Sequence, residues 1–315
     1  MQYVNLGASG LLVSRVAIGS WLTYGSSVDR EGTAACIRAA LDRGVIFVDT
    51  ADVYARGAAE EVLGDVLAPM KRRDIVLASK AFWPMSENPN DKGLSRKHLF
   101  ESCHASLKRL RTDYLDLYQC HRFDPDTPVL ETVRAMGDLI AQGKVLYWGV
   151  SCWTGEQITQ ACTLADQLGA PRPISNQPPY SLLERSIEED VVPTSRRLGL
   201  SQVVFSPLSQ GVLTGKYSGG SRPAGSRGAD ASRNVFMNSD LEPSVLARVD
   251  EMVGLAGDMG TTPARLALAW ALRLSNVASV IVGATRVSQV EDNVAAAELS
   301  IPEDVLARLE ELFPA

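Results

Sequence analysis

The chain has 315 residues, 45% of them hydrophobic, and a formal net charge of -6. That is ample for a large core, and an acidic balance with no basic block argues against nucleic acid as the main partner. Five scattered cysteines (Cys36, Cys103, Cys120, Cys152 and Cys162) share no CxxC spacing, which fits reduced thiols in a cytoplasmic protein better than a disulfide frame or a zinc site, so no metal is expected.

The opening MQYVNLGASG lacks the charged-then-apolar order of a secretion signal, and no apolar run approaches the length of a membrane span. Residues 3–14 read as a hairpin, two short apolar runs about a Gly-Ala-Ser-Gly turn, suited to plugging one end of a larger structure. Val16-Ala17-Ile18 is a short strand closing on Gly19-Ser20-Trp21. A helix pattern follows Asp29, a suitable N-cap, with Ala34, Ile37, Ala40 and Leu41 on one face, and Gly44 ends it. The run 45–49 is too short for a helix and is rich in β-branched and aromatic residues, so it reads as a buried strand that stops at Asp49.

The same unit then repeats. Helix 60–68 precedes strand 75–79, and helix 95–110, capped by Ser95, precedes strand 114–120. Helix 128–142, with Pro128 in its first turn, precedes strand 145–150. Helix 154–168 leads to strand 174–175, and helix 186–198 to strand 202–205. A Gly/Ser/Arg-rich loop spans 218–233, followed by helices 243–259 and 263–274, strand 279–282, helix 288–296 and a terminal helix 303–312.

Strand-then-helix at this spacing, about eight times over, predicts a (β/α)8 TIM barrel with an N-terminal β-hairpin. No linker interrupts it, so residues 1–315 are expected to form a single domain. An open doubly wound sheet is the alternative, but no GxGxxG follows the first strand. In a barrel all parallel strands open on one face, where catalytic groups sit. The residues that follow the apolar runs are Gly19, Asp49, Lys80, His121, Ser151, Gln177, Ser206 and Gly283, a polar and glycine-rich set.

A carboxylate at the end of a buried strand is costly unless paired, and Lys80 ends the next strand. Asp49, Tyr54, Lys80 and His121 are therefore expected to form one polar cluster. A free phenol has a pKa near 10 and donates poorly at neutral pH; an adjacent ammonium lowers it and makes Tyr54 a usable proton donor. Asp49 would keep Lys80 charged, and His121 would position a carbonyl oxygen beside the Tyr54 hydroxyl. Hydride for such a carbonyl must come from a nicotinamide, since no side chain supplies it. Taken singly, each residue has a plainer reading: a packing tyrosine, a structural ion pair, a hydrogen-bonded histidine. His98 and His104, six apart on a helix, share no face and do not make a metal pair.

Gly211 to Tyr217 resembles a phosphate loop but is one residue short of GxxxxGK[ST] and ends in tyrosine, so an NTPase is a poor reading. Its glycines and Lys216 still suit a phosphate-bearing ligand, with Arg222, Arg227 and Arg233 nearby in the loop. Gly283-Ala284-Thr285-Arg286 feeds a helix start, which suits phosphate or an ordinary cap equally.

The motif Asp49-Thr50-Ala51-(x)2-Tyr54, with Lys80 and His121, resembles the signature of the aldo-keto reductase family. Gly-Leu-Ser-Arg-Lys-His at 93–98, the run 127–136, Tyr147-Trp148-Gly149-(x)-Ser151 and the stretch 206–217 resemble the potassium-channel β-subunit group within it. The resemblance spans essentially the whole chain. It implies a barrel that binds NADPH, or NADP+, without a Rossmann fold, acts on a small-molecule carbonyl or alcohol, is not inserted in a membrane and forms a homo-oligomer. It further implies that Ser151, Asn176 and Gln177 contact the carboxamide and that Phe205 stacks on the nicotinamide. Ser206, Leu208, Gln210 and Gly211 would line the pyrophosphate. Lys216, Arg227, Thr285 and Gln289, following Gly283, would hold the 2′-phosphate, with Asn293 near adenine. Gly19, Ser20, Trp21 and Asp49 complete the nicotinamide-ribose side. Cys152 stands where many relatives have Asn or Arg, Phe205 where they have Trp or Tyr, and Asp292 where the β-subunit group has Glu.

The resemblance carries a second reading, a cofactor-binding regulatory β-subunit of a membrane channel; mammalian channel subunits tend to lose the histidine that His121 retains, which favours an enzyme. A barrel aldolase with Lys80 as Schiff-base former is a third, disfavoured because Asp49 would keep the amine charged. Trp21, Tyr24, Trp83, Phe123, Trp153 and the 218–240 loop are expected to face the substrate, an aromatic wall that suits sugars, aryl ketones and steroid-like rings alike.

Overall fold

The first two strands, β1 (Tyr3–Asn5) and β2 (Leu12–Ser14), pair antiparallel as the expected hairpin in the computed structural model, which describes residues 1–24, 28–230, 237 and 239–315. Eight further strands follow: β3 (Val16–Gly19), β4 (Phe47–Asp49), β5 (Val76–Ala81), β6 (Leu115–Cys120), β7 (Val145–Val150), β8 (Ser175–Asn176), β9 (Ser201–Val204) and β10 (Val277–Val282). They pair in parallel in chain order, and β10 returns to β3 to close a barrel. The helices between them are α1 (Arg30–Leu41), α2 (Ala58–Leu67), α3 (Arg96–Leu110), α4 (Val129–Ala141), α5 (Gly155–Leu168) and α6 (Val191–Leu198). Two more, α7 (Pro243–Asp258) and α8 (Pro263–Leu272), lie between β9 and β10, and α9 (Val287–Ala295) and α10 (Glu303–Leu312) end the chain. The architecture is the expected (β/α)8 TIM barrel with an N-terminal hairpin.

Period-two alternation explains how the barrel positions its upper face. Phe47, Val76, Ala78, Leu117, Val203 and Ala278 point into one buried cluster with Leu6 and Val13 of the hairpin, so the hairpin plugs the end where the strands begin. Two residues further along β4, β5 and β6 the same inward direction carries Asp49, Lys80 and Gln119. The polar layer stands on the apolar one. Outward residues such as Val48, Leu77, Tyr118 and Trp148 pack on the helices.

Boundaries differ where backbone chemistry intervenes. The strand expected over 45–49 begins at Phe47, because the Val45 N–H closes the end of α1 on the Ala40 carbonyl at 3.0 Å. The helix expected over 186–198 is broken into a short turn, Ser186–Glu188, and α6. Pro193 then falls in the first turn of α6, where a missing N–H costs nothing; inside one continuous helix it would have removed a bond and clashed. Pro128 is the N-cap of α4 rather than a first-turn residue. All five cysteines are free. Among the described residues, no helix is long and apolar enough to cross a membrane, and no His/Cys/Asp/Glu group could hold a metal.

Candidate active site

Lys80 is wholly buried, and its ammonium has three acceptors for three N–H donors: Asp49 Oδ2 at 2.6 Å, the Thr50 carbonyl at 2.8 Å and the Tyr54 hydroxyl at 3.2 Å. Asp49 Oδ1 in turn accepts from Gln177 Nε2 at 2.9 Å, with Gln119 Nε2 at 3.5 Å. Burial alone would depress the Lys80 pKa, but Asp49 and then Tyr54 reverse this, and it ends above its ordinary value. The side chain is therefore an ammonium, not the free amine a Schiff base needs.

Tyr54 opens a single 3-10 turn, Tyr54–Gly57, in which Ala55 (φ 49°) and Arg56 (φ 52°) are left-handed before Gly57 (φ 92°). Two non-glycine residues in that region cost about 1–2 kcal/mol each. The turn is tied to the barrel by the Asp52 N–H, which donates to the Lys80 carbonyl at 3.2 Å, and by the buried Asp52 carboxylate, which accepts from Ser102 Oγ of α3 at 2.7 Å. The expected net depression of the Tyr54 pKa is not what the pocket produces. Burial raises it, Lys80 opposes this, and the balance lies above the ordinary phenol value. The hydroxyl holds its proton at neutral pH and has the Lys80 ammonium in contact with it.

His121 follows β6, with its ring 5.7 Å from that of Tyr54 and edge-on at 80°. Burial, then the charges of Lys80 and Arg122, hold its pKa well below the usual histidine range, so the ring is neutral. Its Nδ1 is buried with no partner among the described residues. Asp49, Tyr54, Lys80 and His121 thus lie together at the ends of consecutive strands.

The remaining expected residues divide. Ser151 is buried and donates to the Gln177 carbonyl at 2.7 Å, so both stand beside the cluster. Asn176 does not join them. Adjacent residues of a strand point opposite ways, and its amide is used by Gln202 Oε1 (3.2 Å) and the Trp153 N–H (3.3 Å). Ser20 lies next to Asp49, its N–H on the Asp49 carbonyl at 3.1 Å and its hydroxyl on Thr50 Oγ1 at 2.8 Å, between Gly19 and half-buried Trp21.

Beyond β9 lie half-buried Phe205, Ser206 and Leu208, then three left-handed residues in a row, Ser209, Gln210 and Gly211. Gln210 Oε1 is buried with no hydrogen-bond partner among the described residues. A Cβ on Gly211 would lie 2.4 Å from Lys216 Nζ, so the lysine folds over bare backbone. The buried Tyr217 hydroxyl accepts from the Gly228 N–H at 3.0 Å, which fixes the start of the following loop. Arg227 lies over the Trp21 ring at 5.6 Å, with its guanidinium near Gly283. Thr285 and Gln289 bond to each other at the start of α9, and Asn293 is buried on that helix. Arg222 is exposed, and Arg233, with residues 231–236 and 238 of the 218–240 loop, lies outside the described residues. Asp292 is paired with Arg265 and Thr262.

Of the expected aromatic wall, Trp83 is exposed and Phe123 packs edge-on against Trp153 at 5.0 Å, while Tyr24 and Trp153 are buried among core side chains. Gln119, the Thr50 carbonyl and Arg122 were missed. Gln119 was available from the sequence, two residues beyond Leu117 and two before His121. A separate hollow of about 440 Å³ lies at the opposite end of the barrel, between Ala8, Leu146, Trp148 and Ile174. Its lining is mostly apolar, with Tyr147 and Arg172 but without carboxylate, histidine or cysteine, and the polar cluster remains the candidate site.

The family model for the aldo/keto reductase family matches residues 15–313. A protein of Arabidopsis thaliana named a probable voltage-gated potassium channel subunit beta is 44% identical over 302 residues, covering 95% of this chain and 92% of that protein. One of the same name from Oryza sativa subsp. japonica shows the same identity and coverage. A putative voltage-gated potassium channel subunit beta of Schizosaccharomyces pombe is 37% identical over 317 residues, covering 98% of this chain and 92% of that protein.

Proposed function

The chain belongs to the aldo/keto reductase family, oxidoreductases of carbonyl compounds, and on that premise we propose that it is an NADPH-dependent enzyme interconverting an aldehyde or ketone and its alcohol, acting as one domain. The observation that carries this is the Tyr54 hydroxyl held 3.2 Å from an ammonium that is itself paired with Asp49.

The residues beyond the cluster fit the cofactor. The Lys216 ammonium packed over the bare backbone of Gly211 suits a polyanionic ligand. Ser151 and Gln177 would hold the carboxamide and Phe205 would stack on the ring. Ser206, Leu208, Gln210 and Gly211 would line the pyrophosphate; Lys216, Arg227, Gly283, Thr285 and Gln289 would hold the 2′-phosphate end, with Asn293 at adenine. Gly19, Ser20, Trp21 and Asp49 would flank the ribose. When bound, the nicotinamide supplies the hydride, or takes it back.

The side chains manage the proton. Neutral His121 donates a hydrogen bond to the carbonyl oxygen and sets it beside Tyr54. Tyr54 gives that oxygen its proton as negative charge develops there. The phenolate left behind is stabilised by the Lys80 ammonium, which Asp49 and the Thr50 carbonyl hold in place. In alcohol oxidation the same groups act in reverse.

The test is NADPH consumption with 4-nitrobenzaldehyde and methylglyoxal, repeated with Tyr54→Phe. A loss of about 10²-fold or more is expected; unchanged turnover in the variant removes the mechanism. The names of the relatives favour a second reading, a regulatory β-subunit of a membrane channel. Recovery of a channel from native membranes together with negligible turnover would favour that role instead.

A further inference from the structure

Arg122 follows His121 at the rim of the site and is half-buried. Its Nη1 donates to the His121 carbonyl at 2.5 Å and reaches Ser151 Oγ at 3.4 Å. The guanidinium lies 5.7 Å from the ring centre of Trp83, and Trp83 stands edge-on to His121 at 6.3 Å. Among the described residues, Arg122 has no carboxylate within ion-pair distance, and its Nη2 and Nε donors have no protein acceptor. The acid of the cluster is already committed, since Asp49 serves Lys80 and Gln177. Lys80 and Asp49 cancel, so Arg122 leaves the pocket with a surplus positive charge. That charge reaches the reacting groups: it opposes the effect of burial at Tyr54 and adds to it in keeping His121 neutral.

A guanidinium with unused donors, braced on an aromatic face and one residue from the group that positions the carbonyl, matches a carboxylate in geometry and charge. A pocket meant for neutral carbonyls has no need of it, because a partly desolvated, unpaired cation is costly without a ligand. We propose that Arg122 is a specificity residue, and that the substrates of the reductase proposed above are aldehydes or ketones carrying a carboxylate close to the reacting carbonyl. The anion takes the outer edge of the guanidinium while the carbonyl oxygen lies between Tyr54 and His121. Trp83 covers the carbon skeleton between them.

The test compares 2- and 4-carboxybenzaldehyde with their methyl esters, using the full chain and NADPH. In the native protein the acid is expected to have the higher kcat/KM, and in Arg122→Gln the acid-to-ester ratio is expected to fall by about 10- to 100-fold, mostly through KM. Arg122→Lys should keep part of the preference, since it retains the charge without the fork. The same ratio in native and Arg122→Gln protein overturns the proposal. A second readout needs no turnover: calorimetry of benzoate against benzamide in the presence of NADP+. Tighter benzoate binding that Arg122→Gln abolishes supports the proposal; equal binding of the two by the native protein overturns it. Ester turnover that depends on Tyr54, without any preference for the acid, leaves the reductase reading standing and removes this one alone.

Discussion

The Lys80 ammonium and the Asp49 carboxylate meet at 2.6 Å with both side chains closed off from solvent. Each carries the cost of a buried charge unless the other is present. Lys80→Met leaves Asp49 uncompensated and should lower stability by about 3–5 kcal/mol, and Asp49→Asn should do the same in reverse. The double variant should recover much of the loss, because Met and Asn bury no charge. Urea unfolding of the four proteins gives the coupling directly. Strictly additive losses would show that the two side chains do not act as a unit.

His121 is expected to work as a neutral hydrogen-bond donor. Burial together with Lys80 and Arg122 keeps it uncharged through the range in which a free histidine titrates. His121→Phe removes the donor and should lower kcat by about 10²-fold, comparable to loss of an oxyanion donor, whereas His121→Gln, whose amide N–H still donates, should lose less. The pH–rate profile should keep its shape. An inflection between pH 6 and 7 that disappears in His121→Gln would mean the ring titrates in use, against this assignment.

A different group titrates near neutrality. Asp52 is fully buried behind the Tyr54 turn, its Oδ1 has no hydrogen-bond partner among the described residues, and burial pushes its pKa up to about 7, with the Ser102 hydrogen bond opposing and the charge of Glu60 adding. Glu60 is itself held by Arg109 at 2.7 Å and Ser79 at 2.5 Å. The folded protein therefore prefers the protonated acid. Its contribution to stability is complete below the ordinary value of 3.8 and is lost as the pH rises toward about 7. Asp52→Asn cannot ionise. Whatever its absolute stability, the difference between variant and native should shift toward the variant across that window, by up to about 1.4 kcal/mol per pH unit. Denaturation at pH 5 and pH 8 measures this. A constant difference would show that Asp52 is ionised in both states or protonated in both.

The arrangement of the strand ends was legible because it follows from one rule applied repeatedly. An apolar run that stops at Asp49, Lys80 or His121 places that residue on the open face of a parallel barrel, and pairing of buried charge brings the first two together. What the sequence hid was orientation within a strand end and the balance of opposing effects. Asn176 and Gln177 are neighbours in the chain but face opposite sides, so only Gln177 reaches Asp49. Tyr54 has the expected ammonium beside it, yet desolvation outweighs that ammonium, and desolvation depends on how closely surrounding elements pack. Tyr24, expected to face the substrate, is instead buried in the core cluster with Cys36, a placement set by packing that no local pattern reveals. Arg122 gave no signal of its own, since having no counter-ion among the described residues is a property of the fold and not of the local sequence.

Discrimination between NADPH and NADH should depend on Lys216 and on the backbone beneath it. Gly211 has φ 99°, and a Cβ there would stand 2.4 Å from Lys216 Nζ. The lysine end can swing aside, but an alanine at that φ carries a backbone cost of about 1–2 kcal/mol, so the turn itself would shift. On the proposed assignment Lys216→Met would remove one charge-assisted contact to the 2′-phosphate, worth about 1.5–3 kcal/mol, and should raise the Kd for NADPH by about 10- to 100-fold. NADH lacks that phosphate, so its Kd should change by no more than about threefold, since under 1 kcal/mol separates the two states. Gly211→Ala should weaken both cofactors, because the turn that changes shape is the one expected to line the pyrophosphate they share. Titration of protein fluorescence with each cofactor resolves the patterns. If Lys216→Met weakened NADH as much as NADPH, the lysine would be holding the loop rather than a phosphate.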